Sequence, residues 1–492
     1  MSDAAAQTLG RRRATARGTI INAAFQIGLG SLNFLKSLIA AGLLTAADYG
    51  VWGALFLAVA LIVAIKTTGV SDKFIQQQEG DQIEAFQKAF TLELIASILL
   101  MFGMLLVAPF LALAYGEEEL LAPGLVIAAI LPAYAFQAPI WIHYRRMDFF
   151  RQRVLSATDP LTSFVVTLAL AYAGLGYWSL VLGFVAGTWA AAVAAVVTSP
   201  YPLRLRYDPG TMRDYFSFSW PLVVAGASGL LIGQLSVLFG DLALGLAGAG
   251  AITLAATFAA YADRVDTVIT QTTYPAVCRV AHDRALLLEA FTKSNRLTLM
   301  WGMPFGVGLT LFASDLIEFG IGEQWEEALI LLQVFGLTQA FNHIGFNWTA
   351  FYRAVGETRP IARVVAATTV TFCLTALPLL LLFDLPGYAA GMAVVTVVTL
   401  ALRARYVARL FEGFAVLRYC LRAVAPTVPA VGAVIAIRAV VDADRTLGIA
   451  LGELAVYLAV TAVSTLLIER RLLAEAISYL RPAEQRAAPA GA

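Results

Sequence analysis

Apolar runs about twenty residues long recur along the whole chain, and no polar stretch between them is long enough to form a domain of its own. A helix needs about 20 apolar residues to cross about 30 Å of hydrocarbon, so runs of this length call for lipid as the solvent. Fourteen can be marked, near 19–43, 50–70, 90–114, 121–142, 155–174, 177–198, 216–239, 247–272, 297–319, 328–350, 361–383, 386–406, 423–441 and 447–468. Composition agrees: 60% of residues are hydrophobic and 14% charged, against about 45–50% and about 25% in soluble domains. The first run follows a basic segment but ends in no cleavage site, so it reads as a retained span. The longest connection is 273–296. It leaves no room for a nucleotide-binding domain, and no G-x-x-x-x-G-K-[ST] loop occurs. The net charge of +1 gives no reason to expect nucleic acid, and Cys278, Cys373 and Cys420 have no ligand spacing.

The lysines and arginines fix the orientation. With the amino terminus inside, 30 of the 34 basic residues fall on the inner side. Arg438 and Arg445 fall outside, and Lys36 and Arg264 fall within spans. One missed or invented span would exchange the sides of every later loop, so the split also tests the count. The outer turns carry acids, among them Asp48, Glu117, Glu118, Glu119, Asp241, Glu323, Glu326, Glu327 and Asp384.

The first half of the chain is echoed in the second. Glu84-Ala85-Phe86-Gln87-Lys88 leads into span three, and Glu289-Ala290-Phe291-Thr292-Lys293 leads into span nine, 205 residues later. His143-Tyr144-Arg145-Arg146 ends span four, and Phe351-Tyr352-Arg353-Ala354 ends span ten. A period of six spans keeps the two halves in the same orientation, which makes a parallel repeat. The expected fold is therefore an all-α polytopic membrane protein of fourteen transmembrane helices. Two parallel-repeat six-helix lobes would be followed by two C-terminal helices that fall outside the repeat. Its parts would be a basic amino terminus (1–17), an N-lobe (18–200), a linker (201–214), a C-lobe (215–411), spans thirteen and fourteen (412–470) and a tail (471–492). Two lobes that rock about a central cavity suggest transport without covalent chemistry, and no soluble domain is present to support a receptor.

Several segments resemble one family. They are Thr45-Ala46-Ala47-Asp48-Tyr49-Gly50-Val51-Trp52, Gly69-Val70-Ser71-Asp72-Lys73-Phe74-Ile75-Gln76-Gln77, Arg145-Arg146-Met147-Asp148-Phe149-Phe150-Arg151, Tyr261 with Thr273-Tyr274-Pro275-Ala276-Val277-Cys278-Arg279-Val280, and Gly322-Glu323-Gln324-Trp325-Glu326-Glu327-Ala328. In this order they resemble the polysaccharide transporter (O-antigen and exopolysaccharide flippase) branch of the multidrug/oligosaccharidyl-lipid/polysaccharide flippase superfamily, from about residue 15 to 410. The resemblance implies a multidrug-transporter-like fold. It also implies a flippase that moves undecaprenyl-diphosphate-linked oligosaccharide from the inner to the outer leaflet of the bacterial cytoplasmic membrane by alternating access. The expected setting is the inner membrane, multi-pass with both termini cytoplasmic, in a monomer surrounded by membrane lipid. The expected partners are a polysaccharide polymerase and glycosyltransferases, with no nucleic acid.

An ionisable side chain near the bilayer centre is costly and usually faces a cavity or a partner. Lys36 and Arg264 are the candidate diphosphate-binding residues. Their depths differ by roughly 15 Å at about 1.5 Å per residue, so they would hold the diphosphate in succession. Arg264 has no acid three or four residues away on its own helix. Asp263 and Asp266, three apart, are the candidate ion-coupling pair, for Na+ or H+ and with no other cofactor. Gln26, Asn33, Gln234, Gln339, Asn342 and His343 are candidate sugar contacts, because sugars need neutral donors and acceptors. Gln339, Asn342 and His343 share one helix face. No metal site is expected, since His343 has no zinc partner nearby in sequence. Glu93, Asp159, Asp315 and Glu318, near span ends, are expected to be solvated.

Two other classes compete with the flippase. A cation-coupled multidrug antiporter of the same superfamily should not carry uncompensated Lys36 and Arg264, which would repel a cationic drug. A membrane-embedded transferase would need an acidic metal site and larger outer loops. The expected activity is not enzymatic.

Overall fold

The computed structural model describes residues 25, 28–67, 70–76, 81–146, 148–357, 359–411, 421–422, 424–441, 444–470 and 472–474, and no strand occurs among them. In chain order the helices are α1 (Gly28–Leu43), α2 (Ala46–Thr67), α3 (Val70–Gln76), α4 (Gln82–Tyr115), α5 (Leu121–Ile127), α6 (Ile130–Phe136), α7 (Pro139–Arg145), α8 (Phe149–Tyr172) and α9 (Tyr177–Val197). They continue as α10 (Pro209–Ala260), α11 (Arg264–Arg279), α12 (Arg284–Leu311), α13 (Ala313–Asp315), α14 (Leu329–Asn342), α15 (Trp348–Ala354), α16 (Arg359–Leu374), α17 (Ala376–Leu410), α18 (Val428–Val440) and α19 (Leu447–Ile468). Among the described residues, seven helices are individually long and apolar enough to cross a membrane, or eight if a helix pair bent by 65° at Leu311–Ala313 counts as one. The protein is a multi-pass membrane protein. The fourteen expected crossings are compatible with it, because the two longest helices break where turns are expected. α10 breaks at Gly245, whose φ of 71° suits a residue without a Cβ. α17 breaks at Phe383 and Asp384.

The internal repeat reappears as repeated chemistry. Asp81 accepts hydrogen bonds from the amides of Ile83 and Glu84 at the start of α4. Asp283 does the same for Ala285 and Leu286 at the start of α12. Each satisfies amide donors that the first helical turn leaves unpaired. One turn later, Lys88 pairs with Glu84 at 3.1 Å and Lys293 with Glu289 at 2.6 Å. Arg145 lies over the Phe74 ring at 5.5 Å, and Arg353 lies over Tyr274 at 5.1 Å. Arg145 also donates to the Phe74 and Ile75 carbonyls, closing the end of α3.

The two halves meet at the end that carries the acidic turns. Gly50 and Gly53 of α2 and Gly250 of α10 let two backbones touch; a Cβ on Gly250 would overlap the Ala46 carbonyl. This is the small-residue packing that membrane helices use for close approach. Trp325 is 1% exposed and donates its indole N–H to the Ala41 carbonyl at 2.8 Å. Tyr49 stands edge-on to the same indole at 5.1 Å. Asp48 accepts from Thr45 with one carboxylate oxygen and from the Tyr177 amide with the other, at 2.8 Å. Both the Thr45–Trp52 and the Gly322–Ala328 segments that carry the family resemblance therefore build this seal.

The two basic residues expected outside have partners. Arg438 and Arg445 both bond Asp315 and Glu453, joining the α18–α19 hairpin to the end of α13. At the opposite end Arg296 pairs with Glu469, and between them Tyr457 donates to the Pro304 carbonyl at 2.8 Å. The expectation that Glu93 and Asp315 are solvated is corrected: they are 5% and 8% exposed. For Asp315 the reason is the paired guanidinium groups, which replace water around the carboxylate.

Candidate functional site

The seal reaches inward as far as a bond between Ser37 and Tyr261, 2.9 Å apart, beside the edge-on pair Phe34 and Tyr261. On the basic side of this level, each lobe presents a different set of polar groups.

In the N-lobe, Lys36 donates to the Ser163 hydroxyl at 3.0 Å. Ser163 belongs to a stripe on α8 made of Gln152, Ser156, Asp159, Ser163 and Thr167, spaced three or four residues apart and so on one helix face. Asp159 lies within coulombic reach of the Lys36 ammonium. Lys36 is thus compensated within its own lobe, where the sequence suggested an uncompensated cation. At the basic end of the stripe is a cavity of about 290 Å³, lined by Ser71, Glu93, Tyr134, Gln137, Trp141 and Gln152 among others. The Gln152 Oε1 atom is buried with no hydrogen-bond partner. Tyr134 and Trp141 offer aromatic faces, and Gln137 and Gln152 offer amides. None of these four was singled out from the sequence, because only the packing of α8 against its neighbours brings them together.

In the C-lobe, α10 passes into α11 through a tight turn, Tyr261–Asp263. Asp263 is half-exposed and Asp266 largely enclosed, with side chains 52% and 13% accessible. The polar face Gln339, Asn342 and His343 lies at the end of α14, where the helix stops before α15. Backbone freed inside a membrane must find partners. Here Arg403 donates to the carbonyls of Asn342 and Ile344. Asn295 donates to the His343 carbonyl and accepts from the Gly345 amide, and Asn347 donates to Ser294. Gln339 donates to Asp263 at 3.0 Å, and Asn342 donates to Gln339 at 3.3 Å. The His343 ring is fully enclosed, with Nε2 at 3.3 Å from Asp266 and 3.6 Å from Asp263. Two expectations change here. His343 is shut away from any sugar by packing against Gly302, where a Cβ would overlap the ring. And its carboxylate neighbours, absent nearby in sequence, arrive from another helix, so that Asp263, Asp266 and His343 each place a ligand atom within 4.8 Å of the others.

Of the remaining expected site residues, Gln234 donates to the Tyr115 hydroxyl at 3.0 Å, a bond between helices. Asn33 is half-buried on α1. Gln26 and the Arg264 side chain lie outside the described residues, as do the basic amino terminus and most of the tail.

Residues 39–330 match the family profile described as "Polysaccharide biosynthesis protein". The succinoglycan biosynthesis transport protein ExoT of Rhizobium meliloti (strain 1021) is 23% identical over 332 residues, covering 67% of each chain. Among solved structures, lipid II flippase MurJ in an inward closed conformation has a TM-score of 0.68 at 12% identity, covering 92% of this chain and 100% of that one. An inward-facing multidrug resistance transporter of the MATE family has a TM-score of 0.63 at 13% identity, covering 81% of this chain and 100% of that one. These structural likenesses show the fold, two helical lobes.

Proposed function

The chain belongs to the polysaccharide biosynthesis protein family, and we propose that it is a flippase for undecaprenyl-diphosphate-linked oligosaccharide. It moves this lipid from the inner to the outer leaflet of the bacterial cytoplasmic membrane by alternating access, in the service of exopolysaccharide, O-antigen or capsule assembly. The observation that carries the reading is the N-lobe stripe: an ammonium at one end and a cavity of amides and aromatic faces at the other. Neutral donors with aromatic rings suit sugar rings, while a point charge suits phosphate oxygens. From Ser163 to Gln152 the stripe is eleven residues, roughly 16 Å at about 1.5 Å each. The stripe is long enough for the phosphate and sugar parts of one substrate to use its two ends. Arg264 is the second diphosphate contact. The prenyl tail stays in lipid, and the polysaccharide polymerase and glycosyltransferases act before and after. The transport name of the succinoglycan relative and the flippase among the structural neighbours support the reading.

Closure at the acidic end, with Asp263 accessible beyond it, corresponds to a state open towards the cytoplasm when both termini are cytoplasmic. Asp263 and Asp266 are the groups through which Na+ or H+ would be coupled to the return step. The same acids favour a second reading, a cation-coupled drug antiporter, since they would hold an organic cation. The deciding experiment replaces Lys36 by alanine in cells that make a surface polysaccharide. Lower export with undiminished protein, and unchanged tolerance of cationic dyes, is the expected result. Normal export in Lys36→Ala, together with raised dye sensitivity in Asp266→Asn, would select the antiporter.

A further inference from the structure

We infer that Asp263, Asp266 and His343 form a binding site for a divalent transition-metal cation of the Zn²⁺ type. The argument begins with the His343 ring. Nδ1 lies 2.6 Å from the Gln339 carbonyl oxygen, which can only accept, so Nδ1 carries a proton. In the neutral ring the Nε2 lone pair then points at oxygen acceptors: the Ala262 carbonyl at 3.1 Å, Asp266 Oδ2 at 3.3 Å and Asp263 Oδ1 at 3.6 Å. A lone pair facing three oxygens is repulsive unless a proton or a cation lies between them. The spacing fits a metal: bonds of about 2.1 Å in a tetrahedral site put ligand atoms about 3.4 Å apart, and the three distances fall on either side of that value.

The donor set narrows the choice. Imidazole suits zinc and its first-row neighbours, whereas calcium and magnesium take oxygen ligands. The supporting contacts have the form that metal ligands require. A carbonyl holds the far nitrogen of the histidine, and the Gln339 amide donates to Asp263 at 3.0 Å. Asp266 Oδ1 is buried without a hydrogen-bond partner. Among the described residues, Asp263, Asp266 and Arg403 are the charged groups that interact there. A bound cation would tie the break after α14 to the turn between α10 and α11, the two places in the C-lobe where helix backbone is interrupted beside the site. This assignment goes beyond the transport reading, and its test does not depend on transport.

The experiment uses the full-length, tag-free protein in detergent, freed of metal by a chelator and titrated with ZnCl₂ by calorimetry, with elemental analysis after dialysis. One Zn²⁺ per chain is expected, together with a higher melting temperature. His343→Ala and Asp266→Asn should each weaken binding at least tenfold. Asp263→Asn changes a half-exposed side chain, so it keeps the test open if the buried variants fail to fold. His282→Ala, at an exposed histidine elsewhere, should bind as the parent does. Absence of saturable one-to-one binding overturns the assignment, and so does binding unaltered in both His343→Ala and Asp263→Asn. A doubly protonated His343 ring seen by NMR in the zinc-titrated protein would also overturn it, since a proton would then occupy the space.

Discussion

The two lobes share a frame and differ in what the frame encloses. Asp81 and Asp283 cap α4 and α12 in the same way, and the Glu84–Lys88 and Glu289–Lys293 pairs follow at the same distance. Inside, the N-lobe joins a lysine to hydroxyls and amides, and the C-lobe joins two acids to a histidine and an arginine. At the repeat offset of 205–208, His343 corresponds to positions 135–138, where the polar residue is Gln137. Residues that set helix starts and membrane ends work equally well in either copy. Residues in the interior do not share that constraint, and the two lobes present unlike walls.

This contrast can be broken or sharpened by experiment. The largest effect is expected at Gly302→Ala, which pushes a methyl group into the His343 ring. Overpacking of this kind costs about 1–3 kcal/mol, so thermal unfolding in detergent should occur several degrees lower. An unchanged melting temperature would mean that the C-lobe interior is not built around His343. Next comes Lys36→Ala, for which surface polysaccharide should fall by roughly tenfold or more, equivalent to about 1.4 kcal/mol or more of lost interaction. Lys36→Arg should recover part of the export. Full export in Lys36→Ala would remove the N-lobe as the phosphate side.

A smaller difference separates the repeated arginines. Both make a cation–ring contact, but only Arg145 has hydrogen bonds to the end of α3. Arg353→Ala should cost about 0.5–1 kcal/mol for an exposed ring contact. Arg145→Ala should cost about 1–2 kcal/mol more, because buried carbonyls lose a charged donor. Equal losses in denaturation would refute that ranking. The smallest contrast is at the caps. Asp81→Ala and Asp283→Ala should each cost about 1 kcal/mol and agree within a few tenths. Unequal melting shifts would show that the copies are not equivalent even in their frame.

Much of this frame was legible in the chain. The turns at Gly245 and Asp384 stand where the apolar runs part, and the echo of Glu84–Lys88 in Glu289–Lys293 announced the repeat. The Gly322–Ala328 segment supported the family resemblance, but only the fold explains it, with Trp325 closing one end against Ala41. The candidate site was legible in pieces. Lys36, Asp263, Asp266 and His343 stood out as polar groups within apolar runs, since their cost in lipid is a property of one helix. Their partners did not stand out. Glu93 and Asp315 were misplaced because nearness to a span end says nothing about what packs over it.

The sequence by itself determined that this chain is helical, built of repeated membrane-length helices and a member of its family. Hydropathy, helical period and charge bias act over a turn or a span, and a local reading recovers them. Only the tertiary structure decided that Lys36 meets Ser163 across 127 residues, that the His343 ring meets the Ala262 carbonyl across 81, and that Trp325 meets Ala41 across 284. Those pairings depend on how each helix is rotated and where two backbones can touch. Glycines such as Gly50, Gly250 and Gly302 permit that approach, and nothing in the sequence around them says which helix will come to lie there.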